Sequence, residues 1–170
     1  MDTKQIFAEF KAQITLRMGE NIPRVEKCLA ELSEEEVWQT PNGNLNSVAN
    51  LILHLCGNTT QYILSSIGGE EDKRTRDEEF AAKGGYTKTQ LGKKFSNTVT
   101  KSIEVINAAS PEELMRVRNV QGFKLTGMGN AIHVAEHLSY HTGQIAFLTK
   151  LLKNKDLGFY ANMDLNVKNE

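Results

Sequence analysis

Apolar positions recur at helical spacing along most of this chain. In the first segment Phe7, Phe10, Ile14, Met18, Val25, Leu29 and Leu32 follow one another at three, four or seven residues. That spacing predicts one long amphipathic helix. Gly19 and Pro23 interrupt it, and a kink or short break is expected there. In "SEEEVW", Ser33 is placed as N-cap over three glutamates, which predicts a short helical turn. "TPNGN" then breaks the chain.

The second long segment, "LNSVANLILHLCGNTTQYILSSIGG" (residues 45–69), contains no Asp, Glu, Lys or Arg. An amphipathic surface helix would show a charged face, so this one is expected to be buried on most sides or to line something. Val48, Leu51, Ile52, Leu55 and Tyr62 form an apolar stripe; Ser47, Asn50, His54, Asn58, Gln61 and Ser65 form an uncharged polar one. "GGEEDKRTRDEEFAAKGG" (residues 68–85) reads as a charged, solvated connection with room for one helical turn, an arginine in it within reach of an anionic substrate. Long connections inside compact domains are unusual. Eighteen extended residues reach about 60 Å, twice the length of a ~30 Å helix, so the second and third helices can run parallel. Thr87 and Gln90 predict a capping box opening the third helix, with Leu91, Phe95, Val99, Ile103 and Ile106 on its buried face. Ser110, Pro111 and Glu112 predict a short capped turn. "MRVRNVQGFKL" predicts a small extended excursion or hairpin. The fourth helix is expected from Gly129 or Asn130 to about Lys153, with Glu136 its one charged residue between positions 125 and 149.

The second and fourth helices are thus poor in charge, whereas the first and third carry more. The pattern predicts an all-α four-helix bundle with a site built inside it from facing helices. At 170 residues the chain is expected to form a single domain over 1–170. Formal net charge is −1, which does not point to nucleic acid or an anionic membrane. The start, "MDTKQIFAEF", lacks the pattern of a signal peptide, and no apolar run approaches the ~18 residues of a membrane span. Cys28 and Cys56 form no CxxC pattern and read as reduced thiols of a cytoplasmic protein.

All four histidines of the chain fall on the two uncharged helices: His54 on the second, and His133, His137 and His141 at four-residue intervals on the fourth. Imidazoles at i and i+4 rise about 6 Å and can chelate one ion, whereas residues eight apart rise about 12 Å and cannot share it. One adjacent pair can therefore bind, with a third ligand from another helix, and His54 is the only histidine left. Spacing alone does not choose between His133/His137 and His137/His141. Gln144 lies three residues after His141 and suits a supporting or substrate-facing role. Asn58 and Gln61 suit substrate orientation, or the simple satisfaction of a buried polar face. Cys56 is about 200° round the helix from His54 and reads as core packing. Glu136 is about 100° from His137 and reads as a surface residue. Tyr62, Tyr140 and Trp38 read as core. No carboxylate lies in the polar stripe, so no protein general base is evident. Imidazole ligands suit Zn, Ni, Fe and Cu alike.

"NSVANLILHLCGN", followed about 80 residues later by "HVAEHLSYHTGQI", resembles the DinB-like (DinB/YfiT-like) superfamily, which is distinct from the DNA polymerase of similar name. The resemblance runs from the first amphipathic helix through "LTKLLK". It implies a four-helix bundle in up-down-down-up order with a long crossover between helices 2 and 3. It also implies a metal triad of one histidine from helix 2 and an HxxxH pair from helix 4, here His54, His137 and His141, with His133 one turn before the site. Characterised relatives include transferases and isomerases that use low-molecular-weight thiols. The resulting expectation is an open three-histidine site for one divalent transition metal (Zn, Ni or Fe), in a metal-dependent hydrolase or a small-thiol-dependent S-transferase, with a low-molecular-weight thiol as optional co-substrate. The alternative is a non-catalytic bundle that binds a metal or small molecule. The expected partner is a small-molecule substrate, with a homodimer as an option; nucleic acid and membrane are not expected.

Overall fold

The computed structural model describes residues 2–169 and is mostly helical, with one two-stranded sheet. Helix α1 (Thr3–Gly19) opens at Asp2, whose side chain and Gln5 form a capping box. Helix α2 (Asn21–Glu31) follows after Glu20. The break lies where Gly19 and Pro23 predict it. Pro23 sits in the first turn of α2, where its missing N–H leaves no helical bond unmade. Ser33 caps the short α3 (Glu34–Trp38), again through a capping box, with Glu36.

The uncharged second segment becomes α4 (Val48–Thr59), continued by a π-helical turn over Thr60–Ser65. A single α-helix was the expectation from periodicity. Ser47 is not a stripe residue but the N-cap of α4, paired with Asn50. Every residue of α4 except Gly57 is buried, which explains why the segment carries no charge. The crossover contains α5 (Arg76–Ala81). Helix α6 (Lys88–Ala108) opens on the Thr87/Gln90 capping box, as its sequence predicts. Ser110 caps α7 (Pro111–Met115).

Strands β1 (Val117–Val120) and β2 (Phe123–Thr126) pair antiparallel, with Val120 opposite Phe123. Gln121 and Gly122 both take positive φ, 52° and 84°, as a type I′ two-residue hairpin turn requires. Helix α8 (Gly127–Lys153) starts earlier than the Gly129/Asn130 expectation. The Thr126 side chain accepts from the Gly129 N–H and caps the helix there, so the glycines fall inside the first turn. Asn154, left-handed at φ 47°, ends it.

The core joins Met18, Val25 and Leu29 of the first two helices to Ile52 and Leu55 of α4, Phe95 and Val99 of α6, and Val134, Leu138 and Ile145 of α8. Helix α4 packs on both α6 and α8, which brings its polar stripe against the histidine stripe of α8. Among the described residues no helix is long and apolar enough to cross a membrane.

Candidate metal centre

Facing α4 and α8 bring His54, His137 and His141 together. Each offers one ring nitrogen, and the three nitrogens lie within 4.8 Å of one another. The Nε2 atoms of His54 and His137 are 2.9 Å apart. Two nitrogens sharing one tetrahedral zinc stand about 3.3 Å apart at the usual Zn–N length, so this trio could hold a metal ion with small adjustments. The His54 ring centroid lies 5.0 Å from that of His137 and 5.1 Å from that of His141.

Hydrogen bonds set which nitrogen of each ring faces inward. The Nδ1 of His54 is 3.0 Å from Oε2 of Glu79. A carboxylate only accepts, and Arg74 Nη2, 3.1 Å from the same Nδ1, donates to Oε2 of Glu79 at 2.9 Å, so Nδ1 carries the proton and Nε2 keeps its lone pair. In the metal-free chain His137 is then the donor across the Nε2–Nε2 contact. The Nδ1–H of His141 donates to Oε1 of Gln144 at 2.6 Å, again leaving Nε2 free. Burial drives the His137 pKa down to about 3, helped by the neighbouring His141, His54 and His133 rings. Burial also lowers His141, against the Gln144 hydrogen bond, which works to raise it. Neutral rings are what a metal needs: His54 and His141 already turn a lone pair inward, and His137 would do so by carrying its proton on Nδ1.

Glu79 was missed by pattern reading, because it lies in the crossover that reads as solvated charge. That expectation is overturned: the Arg74 side chain is 3% exposed and that of Glu79 10%. Arg74 grips the carboxylate with Nε to Oε1 at 2.8 Å and Nη2 to Oε2 at 2.9 Å. Burial works to raise the Glu79 pKa, but hydrogen bonds from Arg74 and His54 and the charge of Arg74 outweigh it, so the group stays ionised. The polar stripe of α4 holds this strap in place. Asn50 Nδ2 donates to the carbonyls of Glu79 and Ala82 at 2.9 and 2.8 Å. Gln61, in the π turn, accepts from Arg74 Nη1 at 3.0 Å and donates to Asp72 at 2.7 Å. The absence of a carboxylate from the stripe was thus correctly read, but one reaches it from outside; the only legible signal was an uncharged stripe with no partner in sequence.

The other expected site residues separate. Gln144 touches the trio through His141. Gln61 is one residue further out, on Arg74. Asn58 lies 3.3 Å from Nε2 of His133, which stacks on Tyr62 with centroids 4.3 Å apart. Tyr62 is core, as expected, and Trp38 is half-buried with its Nε1–H donating to the Tyr86 carbonyl. Tyr140 departs from its core expectation: it is exposed, edge-on to His141. A recess of about 190 Å³, bordered by His133, Glu136, His137 and Tyr140, opens beside the rings. On the other side of Tyr140 is a cleft of about 550 Å³ whose lining, including Leu45, Leu51, Gln144 and Phe147, holds no charged side chain. Cys28 and Cys56 are both buried and free. Cys56 turns from His54 towards α6, and burial pushes its thiol up to about 12, far from thiolate at neutral pH.

A family model described as "Protein of unknown function (DUF1572)" matches residues 6–161. Solved structures with the same fold include a DinB-like protein (YjoA) from Bacillus subtilis, 18% identical, at a TM-score of 0.66 over 87% of this chain and 97% of that one. A conserved protein from Enterococcus faecalis is 17% identical, at a TM-score of 0.66 over 91% of this chain and 99% of that one. The fold is DinB-like. No curated protein sequence matches the chain.

Proposed function

The chain belongs to the DUF1572 family, and from that premise we propose that it is a divalent-metal-binding enzyme, with His54, His137 and His141 as ligands and Gln144 supporting His141. It acts as a hydrolase or as an S-transferase that takes a low-molecular-weight thiol. The observation that carries this reading is the convergence of three inward-facing ring nitrogens within 4.8 Å, drawn from two helices. Three protein ligands leave positions for water or substrate, as catalytic zinc sites do, whereas structural sites are closed by four. When bound, a divalent transition metal supplies Lewis acidity to a water, a thiol or a substrate carbonyl. The chain's own residues set the stage. Glu79 keeps the proton of His54 on Nδ1, Gln144 does the same for His141, and burial keeps His137 neutral. Substrate enters from the side of Tyr140. The same reading places one domain over residues 1–170, helices in up-down-down-up order, and the protein in the cytoplasm, where both thiols stay reduced.

A non-catalytic metal-binding role is the second reading. It is favoured by one observation: the carboxylate nearest the rings, Glu79, is fully engaged by Arg74 and His54 and is not free to act as a base. Metal content of untagged protein, measured beside turnover of an ester panel and of thiol-reactive electrophiles with added thiol, separates the two. Turnover that a chelator abolishes and metal restores is the expected result. Stoichiometric metal with no turnover across both panels would favour the non-catalytic reading.

A further inference from the structure

Gly57 is the one residue of α4 that is not buried by the usual means, and what lies over it is the Arg74–Glu79 pair. A Cβ built on Gly57 would stand 1.8 Å from Oε1 of Glu79, 2.8 Å from its Cδ and 2.9 Å from Nε of Arg74. Gly57 is three residues after His54, on the same side of the helix. The missing side chain is therefore a notch that lets a carboxylate from the crossover reach His54. Around that notch the contacts form one chain: the π turn presents Gln61, Gln61 holds Arg74, Arg74 holds Glu79, and Glu79 holds His54. Asn50 anchors the C-terminal end of α5 beside it.

Resting on the three-histidine reading above, we infer that the crossover is a clamp for the metal ligand His54: Glu79 fixes its Nδ1–H form and ring angle, Arg74 keeps Glu79 in that role, and metal affinity depends on the clamp being seated in the Gly57 notch. Glu79 is a positioning residue here, neither ligand nor base. It approaches Nδ1, the nitrogen that faces away from His137, and Arg74 occupies both of its oxygens. Coupling of this kind is reciprocal. If seating the crossover tightens metal binding, then metal binding must tighten the crossover. Carboxylate partners of ligating histidines are generally worth 10–100-fold in metal affinity.

The test uses zinc alone as probe, on the full chain. Gly57→Ala adds a good helix former to α4 and leaves every ligand in place. Glu79→Ala removes the clamp directly, and Glu79→Gln keeps an acceptor but loses the charge that Arg74 grips. We expect zinc affinity to fall about 10–100-fold in Gly57→Ala and Glu79→Ala and by less in Glu79→Gln. Amide exchange over residues 70–82 should quicken in the same variants and slow on adding zinc to wild type. Nitrogen-15 spectra of metal-free wild type should show His54 in its Nδ1–H form, lost in Glu79→Ala. Wild-type zinc affinity in Gly57→Ala and Glu79→Ala, with binding lost in His54→Ala, would overturn the clamp and leave the metal site standing. Should wild type take up no zinc at all, the metal reading fails. The His54 spectrum then decides the clamp alone, and an Nε2–H form in wild type overturns it.

Discussion

The two histidine-bearing helices hold their rings in opposite ways. On α4 and its π turn, His54 is buried under the crossover, and the polar groups Asn50, His54 and Gln61 all bond to that strap. On α8, His133, His137 and His141 are half-buried, His133 stacks on His137, His137 meets His141 edge-on, and His133 and His137 border a recess beside Tyr140. One half of the site is braced by charge brought from elsewhere; the other is self-supporting and open to small molecules. A site built this way has a fixed wall and an accessible wall, so changes on the two sides should fail differently.

The largest effect is expected on the braced side. Arg74→Ala leaves the Glu79 carboxylate buried with only His54 beside it. Breaking one partner of a buried ion pair costs about 3–5 kcal/mol. Urea unfolding of the metal-free protein measures it, and a cost under about 0.5 kcal/mol would show the pair to be as weak as an exposed one.

On the open side the expected change is a pH dependence. An unfolded imidazole titrates near 6.5, whereas folded His137 is held down at about 3. As pH falls below about 6.5 the unfolded chain takes up this proton first, so metal-free stability should decline from about pH 6.5 to about pH 3 and lose nothing further from this group below that. Replacing His137 with Asn should flatten the decline. Stability level from pH 7 to pH 4, in wild type as in His137→Asn, would contradict the burial of a neutral ring.

The smallest effect is expected away from both walls. The Cys28→Ala/Cys56→Ala double variant should keep its full zinc affinity and any turnover, and lose roughly 1–2 kcal/mol of stability from buried volume. A folded double variant that loses its metal would mean that a thiolate belongs to the site, against the burial that raises both thiols.

The same contrast explains what was legible in the sequence. The α8 stripe, the caps at Ser33, Thr87 and Ser110, and the helix break near Gly19 are local patterns, fixed by residues within one or two turns of each other. The HxxxH geometry limited the ligands to one adjacent pair, and only the family resemblance singled out His137 and His141. The π turn at Thr60–Ser65 left no mark, since one i→i+5 turn shifts the helical register by about one residue, too little to show in so short a run. The clamp was illegible for a different reason. Arg74 and Glu79 sit in a run of mixed charge, and nothing within the run distinguishes the two that are buried from Lys73 and Glu71, which pair in solvent. Their burial follows from Gly57, Asn50 and Gln61, which lie 13 to 29 residues away along the chain. Tyr140 was misplaced because an aromatic on a charge-poor helix is ordinarily core, and here that helix has one uncovered face.

The most direct test of the three-histidine centre is a zinc titration of untagged wild type beside four single variants, His54→Ala, His133→Ala, His137→Ala and His141→Ala, each confirmed folded by circular dichroism. One zinc per chain in wild type and in His133→Ala, with at least a 100-fold loss of affinity in the other three, is the expected result. Full zinc retention in His54→Ala, or loss confined to His133→Ala and His137→Ala, would contradict a centre shared between α4 and the His137/His141 pair.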